Sequence, residues 1–362
     1  MANKDSILYL PRNTNLIPNT VLTQGLVWLK PNIIKPIKSQ RKSDVDIIWY
    51  DKEQYFAQSI SFKETEKIAN AVGGVLRDKF NNIFIKKTNF ENLEMNTVKI
   101  MGILNVTPDS FYDGGNYDDE NKALDHAKKM SAHGADIIDV GGESTKPNAE
   151  YVSEKEEANR ILKVIKALSK KGYLVSADTR KHLVMEKAID NGAKIINDIS
   201  GMSDPLTPSL ISKNNVSIVI MHMQGTPETM QIQPSYQFAP IEIYNFLEHK
   251  INVALSAGIK KNKIAIDPGF GFGKTPVHNM QIMAWLPMFQ TLGVPVLLGA
   301  SRKSTIAALS NNEVANDRMA GSISLLCYAN ILGLQIIRVH DVFESNQALN
   351  ISNYLNKQFE LL

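Results

Sequence analysis

The sequence predicts a (β/α)8 barrel, the TIM-barrel fold, preceded by a small N-terminal α/β appendage. From residue 98 onward, short β-branched runs alternate with amphipathic helical stretches. The runs are almost continuously apolar, as strands of a parallel sheet covered by helices must be. Eight such units fill about 265 residues, which matches this barrel in size and count.

The eight predicted strands end at or beside polar residues. They cover residues 98–104, 135–140, 173–178, 194–199, 217–222, 263–267, 295–300 and 335–340. Helical patterns lie between them, for example at 120–133, 155–170 and 241–257. A doubly wound open sheet is the structural alternative. In a barrel, active sites form at the C-terminal ends of the strands, so these polar residues predict one shared site.

Residues 1–95 do not join this repeat. They hold strand-like runs and one helical stretch at 63–80, with frequent Pro, Asn and Lys between them. We therefore predict two domains: an appendage of unknown role at 1–95, and a catalytic barrel at 96–362.

Composition narrows the class of protein. The chain has 362 residues, of which 43% are hydrophobic and 21% charged, as in ordinary globular proteins. A net charge of +3 is too small to argue for nucleic acid or an anionic membrane, and we expect neither partner. The single cysteine, Cys327, cannot form an internal disulfide. Without a secretory pattern or a long apolar run, the sequence predicts a cytoplasmic protein.

The stretch IAIDPGFGFGKT (264–275) looks at first like a nucleotide phosphate loop. That loop needs a glycine five positions before its Gly-Lys pair. Pro268 stands there instead, and proline has no backbone N–H to offer a phosphate. The stretch is therefore a Gly-rich loop of another kind, placed at the end of a strand.

Two strand-end carboxylates, Asp178 and Asp267, lie near Asn197 in the predicted site. Buried carboxylates are costly unless they meet donors or a metal. They could bind a metal, act as acid and base, or accept N–H groups from a heterocycle. A metal site would require further converging ligands. His222 is available, but it lies among apolar residues, which is typical of a core histidine. Acceptor-only carboxylates beside an amide suit a heterocycle rich in N–H donors.

A second group of strand-end residues is positively charged. Phosphate often binds to barrel loops seven and eight. The residues that could cradle a phosphate or diphosphate are Asn105, Thr145, Lys146, Lys303, Arg338 and His340. Arg302 is interpreted as a surface charge. With a mobile loop predicted at 105–115, these features indicate a transferase whose substrate has a phosphorylated leaving group.

Eight stretches of this chain resemble the dihydropteroate synthase family of pterin-binding enzymes, in the family's order. They are GILNVTPDSF (102–111), DVGGEST (139–145), SADT (176–179), INDISG (196–201), MHMQGTP (221–227), DPGFGFGK (267–274), GASRKS (299–304) and RVHD (338–341). The resemblance implies a folate-biosynthesis transferase that joins 6-hydroxymethyl-7,8-dihydropterin diphosphate to 4-aminobenzoate. It also implies Mg2+, a homodimer and a sulfonamide target.

The same resemblance implies residue roles. The pterin set is Asp178, Asn197, Asp267 and Lys303, and Met221 is a further substrate-binding residue. The diphosphate set is Asn105, Thr145, Arg338 and His340, with Asn105 as the Mg2+ ligand. Phe111, Pro147, Phe272 and Ser301 match positions around the aminobenzoate, and Lys146 replaces the family's usual arginine among the substrate-binding residues. The catalytic set is Asn105, Asp178, Lys303, Arg338 and His340. Lysine keeps the charge but loses the bidentate fork for phosphate.

Two other functions compete with this interpretation. A pterin-binding methyltransferase domain would share the barrel and the acceptor pocket, but it has no use for anion-binding groups at strand ends two, seven and eight. A non-catalytic relative, kept as a binding module, is the second. The presence of Asn105, Lys303 and Arg338 argues against it.

Overall fold

A computed structural model describes residues 8–11, 24–29, 46–50, 54–61, 70, 74–84, 89–106, 118–144 and 151–359. The strands in this part are β1 (Leu8–Pro11), β2 (Gln24–Leu29), β3 (Asp46–Tyr50), β4 (Gln54–Ser61), β5 (Lys99–Asn105), β6 (Ile137–Gly141), β7 (Val175–Asp178), β8 (Ile195–Asp198), β9 (Ser217–Met221), β10 (Ile264–Asp267), β11 (Leu297–Leu298) and β12 (Ile336–Val339).

The strands β5 to β12 form one parallel barrel, as predicted. Their order in the sheet is β10-β9-β8-β7-β6-β5-β12-β11. A parallel bridge between Ile266 and Val296 brings the two ends of this sheet together, and the Ile266 amide donates to the Pro295 carbonyl at 2.9 Å. Each predicted barrel strand is found within three residues of its expected bounds, and the open-sheet alternative is wrong.

Helices follow the strands and cover the outside of the barrel. They are α1 (Gly74–Phe84), α2 (Asp118–Ala132), α3 (Glu154–Lys170), α4 (His182–Asp190), α5 (Thr207–Asn214), α6 (Ala239–Ser256), α7 (Pro276–Ala284), α8 (Ser304–Leu309), α9 (Met319–Ile331) and α10 (Val342–Phe359). Helix α3 begins where the Ser153 hydroxyl accepts from the Glu156 amide at 3.2 Å, followed by acidic residues that suit the positive helix end. Among the described residues, no helix is long and apolar enough to cross a membrane.

The barrel interior changes from apolar to polar along its axis. Successive residues of a strand point to opposite faces, so every second residue faces the interior. The lower interior side chains are fully buried and apolar: Met101, Ile137, Ile195, Val219, Ala265, Leu297 and Ile336. Two residues further along the strands, the same faces carry Asp139, Asn197, Asp267 and Arg338. The alternation therefore places a polar layer at the C-terminal end of a dry core.

A short segment closes the bottom of this core. Phe90 and Met95 pack against the lower apolar layer, and Phe90 is fully buried. Beside them, the Glu91 carboxylate accepts from Ser217 and pairs with Lys263 at 2.6 Å. Residues 90–95, which the predicted boundary assigns to the appendage, thus pack with the barrel.

The described part of the appendage contains a four-stranded antiparallel sheet in the order β1-β2-β4-β3. Helix α1 follows it and contacts the outside of the barrel. Lys79 pairs with Glu248 of α6 at 2.6 Å, and the Asn82 amide donates to the Thr291 carbonyl at 3.0 Å. The predicted α/β character of this segment is confirmed for these elements.

We expect Phe90→Ala to lower the free energy of unfolding by about 3–5 kcal/mol, because it removes a fully buried ring from the base of the barrel. Ile232→Ala is the control, since the Ile232 side chain is 73% exposed, and it should cost much less. Urea denaturation followed by circular dichroism measures both. Equal losses of unfolding free energy in the two variants would show that Phe90 does not belong to the barrel core.

Candidate active site

The polar layer at the top of the barrel brings together the predicted strand-end residues. Asp178 ends β7, Asn197 lies on β8, Asp267 ends β10 and Arg338 lies on β12. Asn197 and both aspartates are buried. They meet in the interior although they come from positions 178 to 338 of the chain. The prediction of one convergent site is confirmed for these residues.

Arg338 forms two ion pairs across the barrel interior. Its Nε donates to Asp139 Oδ2 and its Nη2 to Asp178 Oδ2, both at 2.6 Å. Burial raises the pKa of Asp178, while the Arg338 charge opposes that rise. Burial would lower the pKa of Arg338, but Asp178 and Asp139 outweigh it and raise that pKa above its ordinary value. The guanidinium therefore stays charged.

Asp139 is a member of this site that the predicted residue set omits. It is fully buried, and its Oδ2 also accepts from Asn197 Nδ2 at 3.2 Å. Within the described residues, its Oδ1 has no hydrogen-bond partner. The signal for Asp139 is present in the sequence, because it ends the apolar part of strand 135–140 and shares the interior face of β6.

The Gly-rich loop after β10 holds Asp267 in a tight turn. The Gly269 amide donates to Asp267 Oδ1 at 2.7 Å. Gly269 has φ of +73°, and a Cβ built there would lie 1.8 Å from the His222 carbonyl oxygen. Only glycine fits such a contact. Burial raises the pKa of Asp267 to about 6, against the Gly269 hydrogen bond and the charges of Lys303 and Lys274.

Lys274, at the end of the same loop, is buried, and the predicted residue set omits it as well. Its ammonium group lies 3.0 Å from His222 Nδ1 and donates to the carbonyls of His222 at 3.2 Å and Phe272 at 2.8 Å. The prediction that His222 is a satisfied core histidine is confirmed. Burial and the Lys274 charge lower the His222 pKa well below its ordinary value, so the imidazole is neutral.

Lys303 and Phe272 touch although the resemblance assigns them to different substrates. The Lys303 ammonium lies 3.8 Å from the centre of the Phe272 ring. This is a cation–π distance. Burial and the Arg338 charge lower the Lys303 pKa to about 8. Met221 lies beneath Phe272 in a small apolar cluster with Ile199 and Met230.

The loop after β11 is tied to the end of β12. Ser301 Oγ lies 3.0 Å from His340 Nδ1 and accepts from the His340 amide at 3.2 Å. Arg302 forms a two-pronged ion pair with Asp341, and its amide donates to Ser322 Oγ at 2.8 Å. Arg302, interpreted as a surface charge, is partly exposed at 28% of its side chain, and its ion pair with Asp341 holds this loop.

His340 lies at the open end of the site. Desolvation of the imidazole and the charge of Arg338 lower its pKa to about 3, so His340 is neutral at pH 7. Neutral imidazole offers one N–H donor and one acceptor. Nδ1 is the ring nitrogen that lies at the Ser301 hydroxyl.

Asn105 ends β5 with an exposed side chain, beside Gly141 of β6. A Cβ built on Gly141 would lie 3.6 Å from Asn105 Oδ1 and 3.5 Å from Asp178 Oδ2, so these oxygens flank the glycine. Among the described residues, no group of three or more His, Cys, Asp or Glu could hold a metal ion. A lone amide oxygen nevertheless fits Mg2+, which keeps several waters and binds largely through substrate phosphates.

Four predicted residues, Phe111, Thr145, Lys146 and Pro147, lie outside the described part of the chain. The residues on either side of 145–150 are joined through one carboxylate. Glu143 accepts from the Val152 amide at 3.2 Å, from Arg180 Nε at 3.2 Å and pairs with Lys181 at 3.0 Å. Sequence reasoning misses this carboxylate, which precedes Ser144 in the motif DVGGEST.

The barrel carries a layer of buried carboxylates and an amide beside cationic side chains at the C-terminal ends of its strands, which is where enzymes of this fold place their active sites. Residues 101–340 match the family described as pterin binding enzymes. The chain belongs to this family.

Similar proteins include two named dihydropteroate synthase. The protein from Haemophilus influenzae is 43% identical over 260 residues, covering 72% of this chain and 94% of its own. The protein from Escherichia coli is 41% identical over 275 residues, and the match covers 74% of this chain and 97% of the Escherichia coli protein.

Solved structures of such enzymes share the fold. Yersinia pestis dihydropteroate synthase, described with a sulfonamide drug complex, has a TM-score of 0.69 at 42% identity and covers 73% of this chain and 96% of its own. The enzyme from Xanthomonas albilineans, in complex with 7,8-dihydropteroate, has a TM-score of 0.66 at 38% identity. The match covers 73% of this chain and 95% of that enzyme.

We expect Gly269→Ala to destabilise the fold far more than Gly172→Ala. Both glycines have positive φ, so the cost of placing an L side chain there, about 1–2 kcal/mol, is shared. The Gly269 methyl group would also collide with the His222 carbonyl, whereas Gly172 has open space. The clash should add at least about 1–3 kcal/mol in denaturant unfolding. Equal losses of unfolding free energy in the two variants would contradict the close approach of Gly269 to the His222 carbonyl.

Proposed function

We propose that this chain is a dihydropteroate synthase: it condenses 6-hydroxymethyl-7,8-dihydropterin diphosphate with 4-aminobenzoate to give 7,8-dihydropteroate and diphosphate. The observation that carries the proposal is the buried set of acceptors, Asp178, Asn197 and Asp267, of which Asp178 is paired with Arg338, an arginine whose side chain is only 18% exposed. The Haemophilus influenzae and Escherichia coli relatives carry this enzyme's name over nearly their whole length.

The pterin would bind in the polar layer through its ring N–H and NH2 groups. Asp178 and Asp267 are acceptors when ionised, and Asn197 can donate and accept. Asp267 Oδ2 faces this layer while Oδ1 is held by Gly269. Lys303 supplies a donor from the opposite side. Carboxylates that meet such donors regain the stabilisation that burial has taken from them.

The diphosphate would lie above the pterin, toward Arg338, His340 and Asn105. As the methylene carbon–oxygen bond breaks, its electron pair leaves with the diphosphate oxygen, and Arg338 faces that growing negative charge. The 4-aminobenzoate nitrogen then forms the new carbon–nitrogen bond and releases one proton. Asn105, which has an amide oxygen beside the diphosphate position, would hold Mg2+. When bound, Mg2+ neutralises charge on the leaving group.

The aminobenzoate would lie against Phe272, in contact with the ring face that Lys303 also approaches. A Xanthomonas albilineans dihydropteroate synthase has been described with 4-aminobenzoic acid, and it is 38% identical to this chain with a TM-score of 0.69. We extend that binding, and the sulfonamide binding of the Yersinia pestis relative, to this chain. Ser301 lies beside His340, so we place it nearer the diphosphate than the resemblance did. The single cysteine suits a cytoplasmic location.

The direct test is to incubate the purified chain with both substrates and Mg2+ and to measure 7,8-dihydropteroate and diphosphate. Equal amounts of the two products are expected. A folded chain that forms neither product would overturn the proposal. A chain that binds a pterin but transfers a methyl group would instead favour the methyltransferase alternative.

We expect Asp267→Asn to weaken binding of a diphosphate-free pterin by roughly tenfold to a hundredfold. The amide can present NH2 to a ring donor, and a mismatched buried contact costs about 1–3 kcal/mol. Mg2+-dependent binding of inorganic diphosphate should stay nearly unchanged. Calorimetry on Asp267→Asn and on the exposed control Asp190→Asn measures both ligands. Normal pterin affinity with a lost Mg2+ response would reassign Asp267 to the metal.

We further propose that the chain forms a homodimer through the helices α7 to α10. Large apolar side chains are exposed along this side of the barrel: Val277, Met280, Leu309, Val314, Met319, Tyr328, Phe343, Ile351, Tyr354 and Leu355. Helix α9 packs on α10 and α7 packs on α8. Gly321 of α9 lies against Ile306 of α8, which joins the two pairs into one side. Contiguous exposed apolar surface of this extent marks association sites.

Light scattering should give twice the chain mass for the parent protein and a single chain mass for Ile351→Glu. The control is Leu206→Glu, because Leu206 is equally exposed, at 60% against 61%, but lies at the start of α5. A dimer that survives Ile351→Glu and Tyr354→Glu together would place the interface elsewhere.

A further inference from the structure

Lys274 is a buried lysine for which the proposed reaction has no assigned role. Only 3% of the residue is exposed. The acceptors around its ammonium group are the carbonyls of His222 and Phe272 and the neutral imidazole of His222. All of these partners are uncharged. A buried ammonium without a directly bonded carboxylate is costly, and burial lowers the Lys274 pKa to about 7.

The three contacts join two separate elements. His222 follows β9, whereas Phe272 belongs to the loop after β10. The backbones of these two elements approach closely at Gly269. A Cβ built on Gly269 would lie 1.8 Å from the His222 carbonyl oxygen and 3.2 Å from Lys274 Nζ. Lys274 therefore fastens the Gly-rich loop to the neighbouring strand end, directly behind the turn that orients Asp267.

The charges around this position are arranged asymmetrically. Asp267 is the nearest opposite charge and acts on Lys274 through space. Titratable and charged groups that face Lys274 or Asp267 from the packed elements are His222, Tyr236, His278, Lys303 and Arg338. Lys303 lies over the Phe272 ring and Arg338 pairs with Asp178, whereas Lys274 lies among the carbonyls of His222 and Phe272. Lys274 thus adds to the charges of Lys303 and Arg338 in favouring the ionised form of Asp267.

We propose that Lys274 is a positioning residue that holds Asp267 and Phe272 in their binding geometry and keeps the Asp267 carboxylate charged for the pterin. This inference rests on the proposed function. Lys274 would thereby act on both substrate positions without contacting either substrate. Its bond to the Phe272 carbonyl holds the aromatic wall, and its position behind the Gly269 turn holds the Asp267 carboxylate.

The test uses Lys274→Gln, which keeps an N–H donor for the carbonyls but removes the charge, and Lys274→Met, which removes both. Lys260→Gln is the control, because Lys260 is exposed. The probes are 6-hydroxymethylpterin, followed by fluorescence between pH 5 and 8, and inorganic diphosphate with Mg2+, followed by calorimetry. Circular dichroism and urea unfolding establish that each variant is folded.

Pterin affinity should fall roughly tenfold in Lys274→Met at pH 7. Loss of a nearby cation raises the pKa of Asp267, so the carboxylate ionises only at higher pH. In Lys274→Gln, the pH below which pterin affinity is lost should therefore move upward by about half a unit or more. The KM for 4-aminobenzoate should rise roughly threefold or more in Lys274→Met, while diphosphate affinity stays within about twofold.

Folded Lys274 variants with the parent pH dependence and pterin affinity would overturn this inference and leave the proposed function intact. A general loss, in which diphosphate affinity falls as much as pterin affinity, would show a structural role only. Failure of both variants to fold would likewise show a structural role and overturn the inference. If the parent chain itself binds no pterin, the proposed function fails first, and the two failures are thereby distinguished.

Discussion

The paired interaction of Arg338 with Asp139 and Asp178 is the constraint on which the upper half of the barrel depends. It reaches from β12 to β6 and β7, passing over β5, which lies between them in the sheet. Removing one member of a buried ion pair leaves its partner uncompensated and costs far more than the pair is worth. The arginine thus needs both carboxylates, and each carboxylate needs the arginine. The pair thus holds Asp178, the proposed acceptor for the pterin, at a fixed distance from Arg338, the proposed cation for the diphosphate.

This arrangement is possible because the barrel divides its interior into two layers. Below, seven strand residues and Phe90 fill the core with apolar volume and exclude water. Above, the same strand faces become polar two residues later. An ion pair over a dry base sits in a low effective dielectric, where each charge acts strongly on its neighbours. The shifted pKa values of Asp267 and Lys303 follow from that environment rather than from any one contact.

Much of this architecture follows from the sequence by simple rules. Period-two alternation and polar strand ends place Asp178, Asn197 and Asp267 on one interior face, and the structure agrees. Partner choice across the barrel does not follow from such rules, because strand order brings Arg338 to Asp139 over a separation of 199 residues. The burial of Lys274 cannot be predicted from the sequence for another reason. It stands in a loop without periodicity, where burial depends on the close approach of Gly269 to His222. The role of Arg302 is hidden in the sequence because its partner, Asp341, lies in a different loop.

The groups that would face substrate are poorly satisfied in the protein alone. Asp139 has an oxygen with no partner among the described residues, Asp267 accepts one backbone N–H, and the Lys303 ammonium rests on an aromatic ring. Among the described residues, buried atoms without a partner also occur singly on other elements, such as His182 Nδ1 and Gln281 Oε1. Natural cores satisfy nearly all buried polar atoms, so several poorly satisfied groups together in one layer indicate a ligand that completes them. A ring with several N–H donors and a polyanionic tail supplies what these residues lack. The same carboxylates that make the folded state more costly therefore make binding favourable, since their desolvation has already occurred when the ligand arrives.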